Sequence, residues 1–170
     1  TGASRGIGAA IADELAALGA TVIGTATSDA GAQAIGERLA AAGGHGRRLN
    51  VTEAGAIEAL VDAVSTEFGG ISILVNNAGI TRDNLIARMT DAQWDLCINI
   101  NLKGTFNCIR AAAPYMMKEG HGGKIINVTS LTALMGNPGQ VNYAAAKGGI
   151  ISLTKTVAKE WTRYGVCCNA

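Results

Sequence analysis

Aromatic side chains make up only 4% of this 170-residue chain, and no apolar run approaches the roughly 20 residues needed to cross a bilayer. No segment has the composition of a secretory leader or a transit peptide. Neither sign of charge dominates: 14 Lys and Arg face 13 Asp and Glu, scattered along the chain, for a net charge of +1. A chain with no basic block lacks the electrostatic footprint of a nucleic-acid or anionic-membrane binder, so neither partner is expected. The four cysteines, Cys97, Cys108, Cys167 and Cys168, have no metal or redox spacing, and an adjacent pair suits neither a C-x-x-C site nor an ordinary bridge. They read as reduced packing residues of a cytoplasmic protein. His45 and His121 lie far apart in glycine-rich loops with no carboxylate cluster nearby, so no metal site is expected.

Glycine, in contrast, is plentiful, with 23 residues in a chain that is 48% hydrophobic. A chain of this length normally forms one domain with its own core, here residues 1–170. Strand and helix patterns alternate along it. Ile7, Ile11, Leu15 and Leu18 share a helical face, and Thr21–Thr27 is a short β-rich segment. A helix over about 30–42 ends at Gly43-Gly44, and Arg48–Val51 reads as a short strand. Thr52 is expected to cap a helix striped with Ile57, Leu60, Val61, Val64 and Phe68. Ile71–Val75 suits a central parallel strand. A long helix over about 92–118 follows, with Met116 and Met117 packing and Pro114 expected to kink it or to fall near an irregularity. Lys124–Val128 is the next strand, and about 142–163 the last helix. Such alternation implies a parallel sheet with helices on both faces.

Two stretches carry chemistry. Thr1-Gly2-Ala3-Ser4-Arg5-Gly6-Ile7-Gly8 opens a helix, and its glycines let backbone N–H groups approach the pyrophosphate of a dinucleotide. The choice of cofactor is a question of charge. A carboxylate at the end of the second strand accepts from the ribose 2′-OH of NAD and repels the 2′-phosphate of NADP. Residues 24–28 carry none, whereas the Thr27 hydroxyl and Arg5 can hold a phosphate, so NADP (as NADPH) is favoured. Asp29, the nearest acid, is read as the cap of the following helix. Further on, Tyr143 and Lys147 stand four residues apart and share a helical face. An ammonium beside a phenol favours the phenolate, which makes the pair a candidate proton donor.

The glycine loop, Asn76-Asn77-Ala78-Gly79, Ser130 and the Tyr143–Lys147 pair occur together and in this order. In that combination the chain resembles the short-chain dehydrogenase/reductase family over essentially its whole length. Within the family it looks most like the 3-oxoacyl-[acyl-carrier-protein] reductase branch, through residues 22–28, 76–85 and 136–147. The resemblance implies an α/β, Rossmann-type doubly wound parallel sheet with helices on both faces. It also implies a catalytic set of Asn101, Ser130, Tyr143 and Lys147. Ser130 and Tyr143 would meet the substrate ketone, Lys147 would hold ribose hydroxyls, and Asn101 a water that refills the Tyr143 proton through Lys147. A mid-helix asparagine can equally mark a bend. The cofactor set is Gly2, Ser4, Arg5, Gly6, Ile7, Gly8, Thr27, Asn50, Val51, Asn77, Ala78, Gly79, Tyr143 and Lys147. Asn50 and Val51 lie where the family places the adenine, or they form a plain turn after a strand. Asn76 reads as structural.

The implied reaction is NADPH-dependent reduction of a 3-oxoacyl thioester, on acyl-carrier-protein or CoA, in fatty-acid synthesis. The alternatives are an acetoacetyl-CoA or other small-carbonyl reductase, and a dinucleotide-binding module without chemistry. Lys118 and Lys124 flank a loop with Glu119 between them and do not establish a patch for an acidic carrier. The fold reads as incomplete at both termini, because the glycine loop should follow a buried strand. Residues 1–170 alone are therefore expected to aggregate and to be inactive. The family is commonly homotetrameric, and Cys97, Ile100, Phe106, Ile109, Met116, Ile150, Leu153 and Val157 on the two long helices are expected to supply the partner surface.

Overall fold

The computed structural model describes residues 1–118 and 122–170. The loop expected at His121, and Glu119 between the two lysines, lie outside the described residues. Helix α1 (Gly6–Ala17) leads to strand β1 (Ile23–Ala26), helix α2 (Asp29–Leu39), strand β2 (His45–Arg48), helix α3 (Ala54–Phe68) and strand β3 (Ile73–Asn76). The second half runs through α4 (Asp91–Ile98), α5 (Gly104–Met116), β4 (Gly123–Asn127), the short α6 (Thr132–Met135), α7 (Val141–Trp161) and β5 (Val166–Asn169). Every strand pairing is parallel, β1 with β2 and β3–β4–β5 in that order. The α/β architecture with helices flanking parallel strands is as expected.

Alternation along β1 shows how both faces are used. A Cβ added to Gly24 would strike Ile35, and the Ala26 Cβ lies against Gly31, so these positions face α2. Ile23 and Thr25 point the other way and line a cavity of about 450 Å³ with Ile57 and Val61 of α3. On the second sheet, Ile125 is fully buried among Ile109, Ala112 and Met116 of α5, Val157 and Trp161 of α7, and Val166 of β5. Its neighbour Ile126 takes the opposite face, where it is 43% exposed.

Strands β1 and β3 do not pair with each other, and the cavity lies between them. Residues 1–3 bridge its carboxyl end: Thr1 N donates to Val75 O at 2.7 Å and Ala3 N to Thr25 O at 2.9 Å. Strands β1 and β3 otherwise each keep one edge unpaired along the cavity.

Several local expectations are corrected. The strand placed at Arg48–Val51 is β2, three residues earlier, and His45 belongs to it rather than to a loop. The glycines there do not break the strand; Gly46 lets Ala32 of α2 approach where any Cβ would collide. His45 packs on Phe68 with ring centroids 5.1 Å apart. Ser28, not Asp29, caps α2, its Oγ accepting from Gly31 N at 3.1 Å, while Asp29 sits in the first turn. Thr52 does not cap α3, because its N–H and hydroxyl donate to Asn50 Oδ1 at 3.1 and 2.9 Å. The long helix passes through Pro114, and its irregularity is a π turn at Asn99–Lys103. Cys97, Cys108 and Cys168 are buried as expected, whereas Cys167 is exposed and accepts from Lys124 Nζ at 3.3 Å. Of the expected partner surface, Cys97, Ile109, Met116, Ile150 and Val157 are consumed by the core, and Phe106 is 43% exposed.

Ile125→Ala should destabilise the protein by about 2–5 kcal/mol and Ile125→Val by about 0.5–1.5 kcal/mol. Urea denaturation measures both, and equal costs would remove Ile125 from the centre of this core.

Candidate active site

The site lies at the carboxyl edges of the strands, where parallel α/β sheets bind ligands. The glycine loop wraps the start of α1. Gly6 has φ +57° and open space around it, a backbone turn that L side chains rarely make. Gly8 has the reverse constraint, since a Cβ there would collide with Gly2 O and the Asn77 amide. Arg5 stands at the N-cap with no side-chain capping bond, so the first-turn N–H groups of α1 are left for an anion. Ser4, Arg5, Gly6 and Ile7 are exposed beside them. This donor set fits a dinucleotide pyrophosphate.

Asn77 holds the loop from beneath. Its Nδ2 donates to Thr1 O at 3.1 Å and Gly2 O at 3.2 Å. In return Thr1 Oγ1 accepts from Asn77 N and Ala78 N at 3.1 and 3.0 Å. Asn77 and Ala78 thus brace the loop. Asn76 is structural, its Nδ2 donating to Asn127 Oδ1 at 2.9 Å, and Asn127 Nδ2 donating to Thr154 Oγ1 at 2.9 Å.

Beyond β1, Thr27 and Ser28 are exposed, and Asp29 faces Arg48 across 3.6 Å. Asn50 is spent locally, accepting from Thr52 and donating to Glu53 Oε1 at 2.8 Å. Val51 is buried against Gly104. Both side chains serve the turn and the core, which leaves their backbone for any contact with a ring.

Lys147 is 3% exposed, and its Nζ donates to Val128 O at 2.7 Å. Thr129 Oγ1 donates back to Lys147 O at 3.0 Å. The two bonds dock α7 onto the residues following β4. Tyr143, one turn earlier, is half-buried, with Lys147 Nζ 5.7 Å from its ring centroid. Ser130 follows Thr129 directly, and its Oγ accepts from Thr132 N at 3.2 Å. Ser130, Tyr143 and Lys147 therefore gather at one edge. Burial lowers the Lys147 pKa, and the nearby Cys97 thiol opposes this more weakly. Asn101 is fully buried in the π turn; its Oδ1 accepts from Ile80 N at 3.3 Å, and its Nδ2 donates to Ile80 O and Cys97 O, each at 2.8 Å. A Cβ on Gly79 would come within 2.5 Å of Asn101 Oδ1 and 3.6 Å of Lys147 Nζ, so Gly79 joins the two. Asn101 marks the bend and packs against Gly79, beside Lys147.

Sequence reasoning missed Thr1, Thr129 and Asn142. Asn142 is buried and donates to Arg82 O at 2.9 Å and Gln93 O at 3.1 Å, tying the start of α7 to the loop after Gly79. Its only signal was a polar residue beside Tyr143 on an otherwise apolar helix face. Among the described residues there is no group of three or more His, Cys, Asp or Glu placed to hold a metal. No helix there is long and apolar enough to cross a membrane.

The sequence matches the family described as short chain dehydrogenase over residues 1–170. It is 53% identical over 169 residues to the 3-oxoacyl-[acyl-carrier-protein] reductase FabG of Escherichia coli K12, covering 99% of this chain and 68% of that protein. It is 54% identical to the reductase of the same name from Vibrio harveyi over the same shares, and 46% identical to that of Staphylococcus aureus over 100% of this chain and 70% of the relative.

A lysine whose pKa is lowered by folding binds fewer protons than in the unfolded chain, so its contribution to stability rises with pH up to its ordinary 10.5. Lys147→Met should flatten that alkaline rise, as read from urea midpoints at pH 8 and pH 10. An unchanged slope would show that Lys147 does not titrate below its ordinary value.

Proposed function

This chain belongs to the short-chain dehydrogenase family, and we propose that it reduces a 3-oxoacyl thioester carried on acyl-carrier-protein to the 3-hydroxyacyl thioester, with NADPH, in fatty-acid synthesis. The observation that carries this is the gathering of Ser130, Tyr143 and Lys147 at the sheet edge that also bears the glycine loop. Cofactor and substrate sites then lie in one unit, residues 1–170.

A bound nicotinamide supplies the hydride for the C3 carbon of the ketone. The proton comes from this chain. Tyr143 gives its phenolic proton to the ketone oxygen as general acid. Ser130 Oγ donates to the same oxygen as negative charge develops there. The buried Lys147 ammonium stabilises the phenolate left on Tyr143 and takes the ribose hydroxyls of the cofactor. Asn101 keeps Gly79 and Ile80 against Lys147 and holds the water from which Tyr143 is reprotonated by way of Lys147. The first-turn amides of α1, with Ser4, Arg5 and the backbone of Ala78 and Gly79, hold the dinucleotide.

The preference for NADPH rests on charge. Thr27 and Ser28 offer hydroxyls, Arg5 a cation, and the nearest carboxylate, Asp29, is partnered by Arg48. We further assign the protein to the cytoplasm as a homotetramer. Trp94 (39% exposed), Leu96 (40%) and Phe106 (43%) supply the apolar surface left over on α4 and α5.

In the full-length protein, Tyr143→Phe should cut NADPH oxidation with acetoacetyl-CoA by about 10²–10⁴-fold while NADPH binding is kept. Near-normal turnover would remove Tyr143 from the role of acid. Thr27→Asp should weaken NADPH and shift preference toward NADH in paired titrations. An unchanged affinity ratio would place the 2′-phosphate elsewhere. Light scattering after size exclusion should give four subunits, and a monomer would refute the assembly.

A further inference from the structure

We infer that Arg38, on α2, is a positioning residue for the cofactor, acting through the glycine loop. This rests on the reading of residues 1–8 as the dinucleotide loop. The guanidinium Nη2 donates to Ala3 O at 2.7 Å, and Nε donates to Asp13 Oδ1 on α1 at 2.8 Å. One planar, doubly anchored group therefore joins α1, α2 and the loop. Ala3 is itself 4% exposed, and its N–H is already committed to Thr25 O. With both ends of Ala3 fixed, the Ala3–Ser4 peptide has one orientation. A trans peptide sets its C=O and N–H in opposite directions, so turning Ala3 O toward Arg38 turns Ser4 N–H away from α2. The next residues, Ser4, Arg5 and Gly6, are exposed and gain little restraint from packing. Arg38 thereby fixes in advance the turn that leads into the anion-binding end of α1, and spares the ligand the entropy of ordering it.

The test is NADPH titration and steady-state kinetics on the full-length protein with Arg38→Met, Arg38→Lys and Asp13→Asn. Arg38→Met should raise the Kd for NADPH by about tenfold, the equivalent of one charge-assisted hydrogen bond. Turnover at saturating NADPH should stay within about twofold of the parent, because no atom of Arg38 reaches the reacting groups. Arg38→Lys keeps the charge but lacks the planar fork, so its Kd should also rise. Asp13→Asn, the gentlest change to the fold, should shift Kd in the same direction by less. An unchanged Kd in Arg38→Met overturns the inference, as does a Kd for Arg38→Lys equal to the parent's, which would mean that charge alone matters. Lower turnover with an unchanged Kd would assign Arg38 to general stability and overturn it too. A parent protein that binds neither NADPH nor NADH would overturn the dinucleotide reading itself, and this inference with it.

Discussion

A buried ammonium sets the geometry of the site. Lys147 lies almost wholly out of water, with Nζ on Val128 O and its own carbonyl receiving Thr129 Oγ1. Sliding or rotating α7 would leave a buried donor without its acceptor, a change that costs about 1–3 kcal/mol and more for a charged group. The helix is therefore fixed to the residues after β4 at one point from both ends of one residue. Tyr143 sits one turn up the helix from that point, and Ser130 is the next residue beyond Thr129. Tyr143 and Ser130 take their separation from a bond that neither of them makes.

The other half of the site hangs from the same strands. Asn76 ends β3, pairs with Asn127 across the sheet and reaches Thr154 of α7 through it. One residue on, Asn77 turns the opposite way and grips the carbonyls of Thr1 and Gly2. Two adjacent asparagines thus connect α7 to the glycine loop, each through its donating Nδ2, while the buried Oδ1 of Asn76 has no partner. The loop is held by Asn77 from below and by Arg38 from the side, and its open surface is left to the first turn of α1.

Much of this was legible in the sequence because it depends on order and period. The strand and helix alternation, the parallel sheet, the apolar stripe of α3 and the shared face of Tyr143 and Lys147 follow from residues close in the chain. Contacts between distant segments were not legible. That Gly46 makes room for Ala32, or that Asn50 closes a turn on Thr52 and Glu53, depends on close approach and on competition for one acceptor. Ser28 and Asp29 are both good caps, and only the extended backbone at Ser28, with φ −119°, decides between them. The apolar residues of the long helices were read as surplus because the depth of the sheet they cover has no trace in a one-dimensional pattern.

The π turn at Asn99–Lys103 stores an extra residue inside a helix. It holds one residue more than an α-helical turn would need, and each residue of an α-helix advances about 100° around the axis. Because that turn is wider, the residues beyond it keep the angular phase of a regular helix one residue shorter, so Ile109, Ala112 and Met116 still face Ile125 while Cys97 stays in place. A single-codon deletion inside the segment would therefore cost the bulge and the bonds of Asn101 to Ile80 and Cys97, and leave the core face of α5 where it is. The segment behaves as slack wound into a helix, an added residue taken up without disturbing the packing on either side.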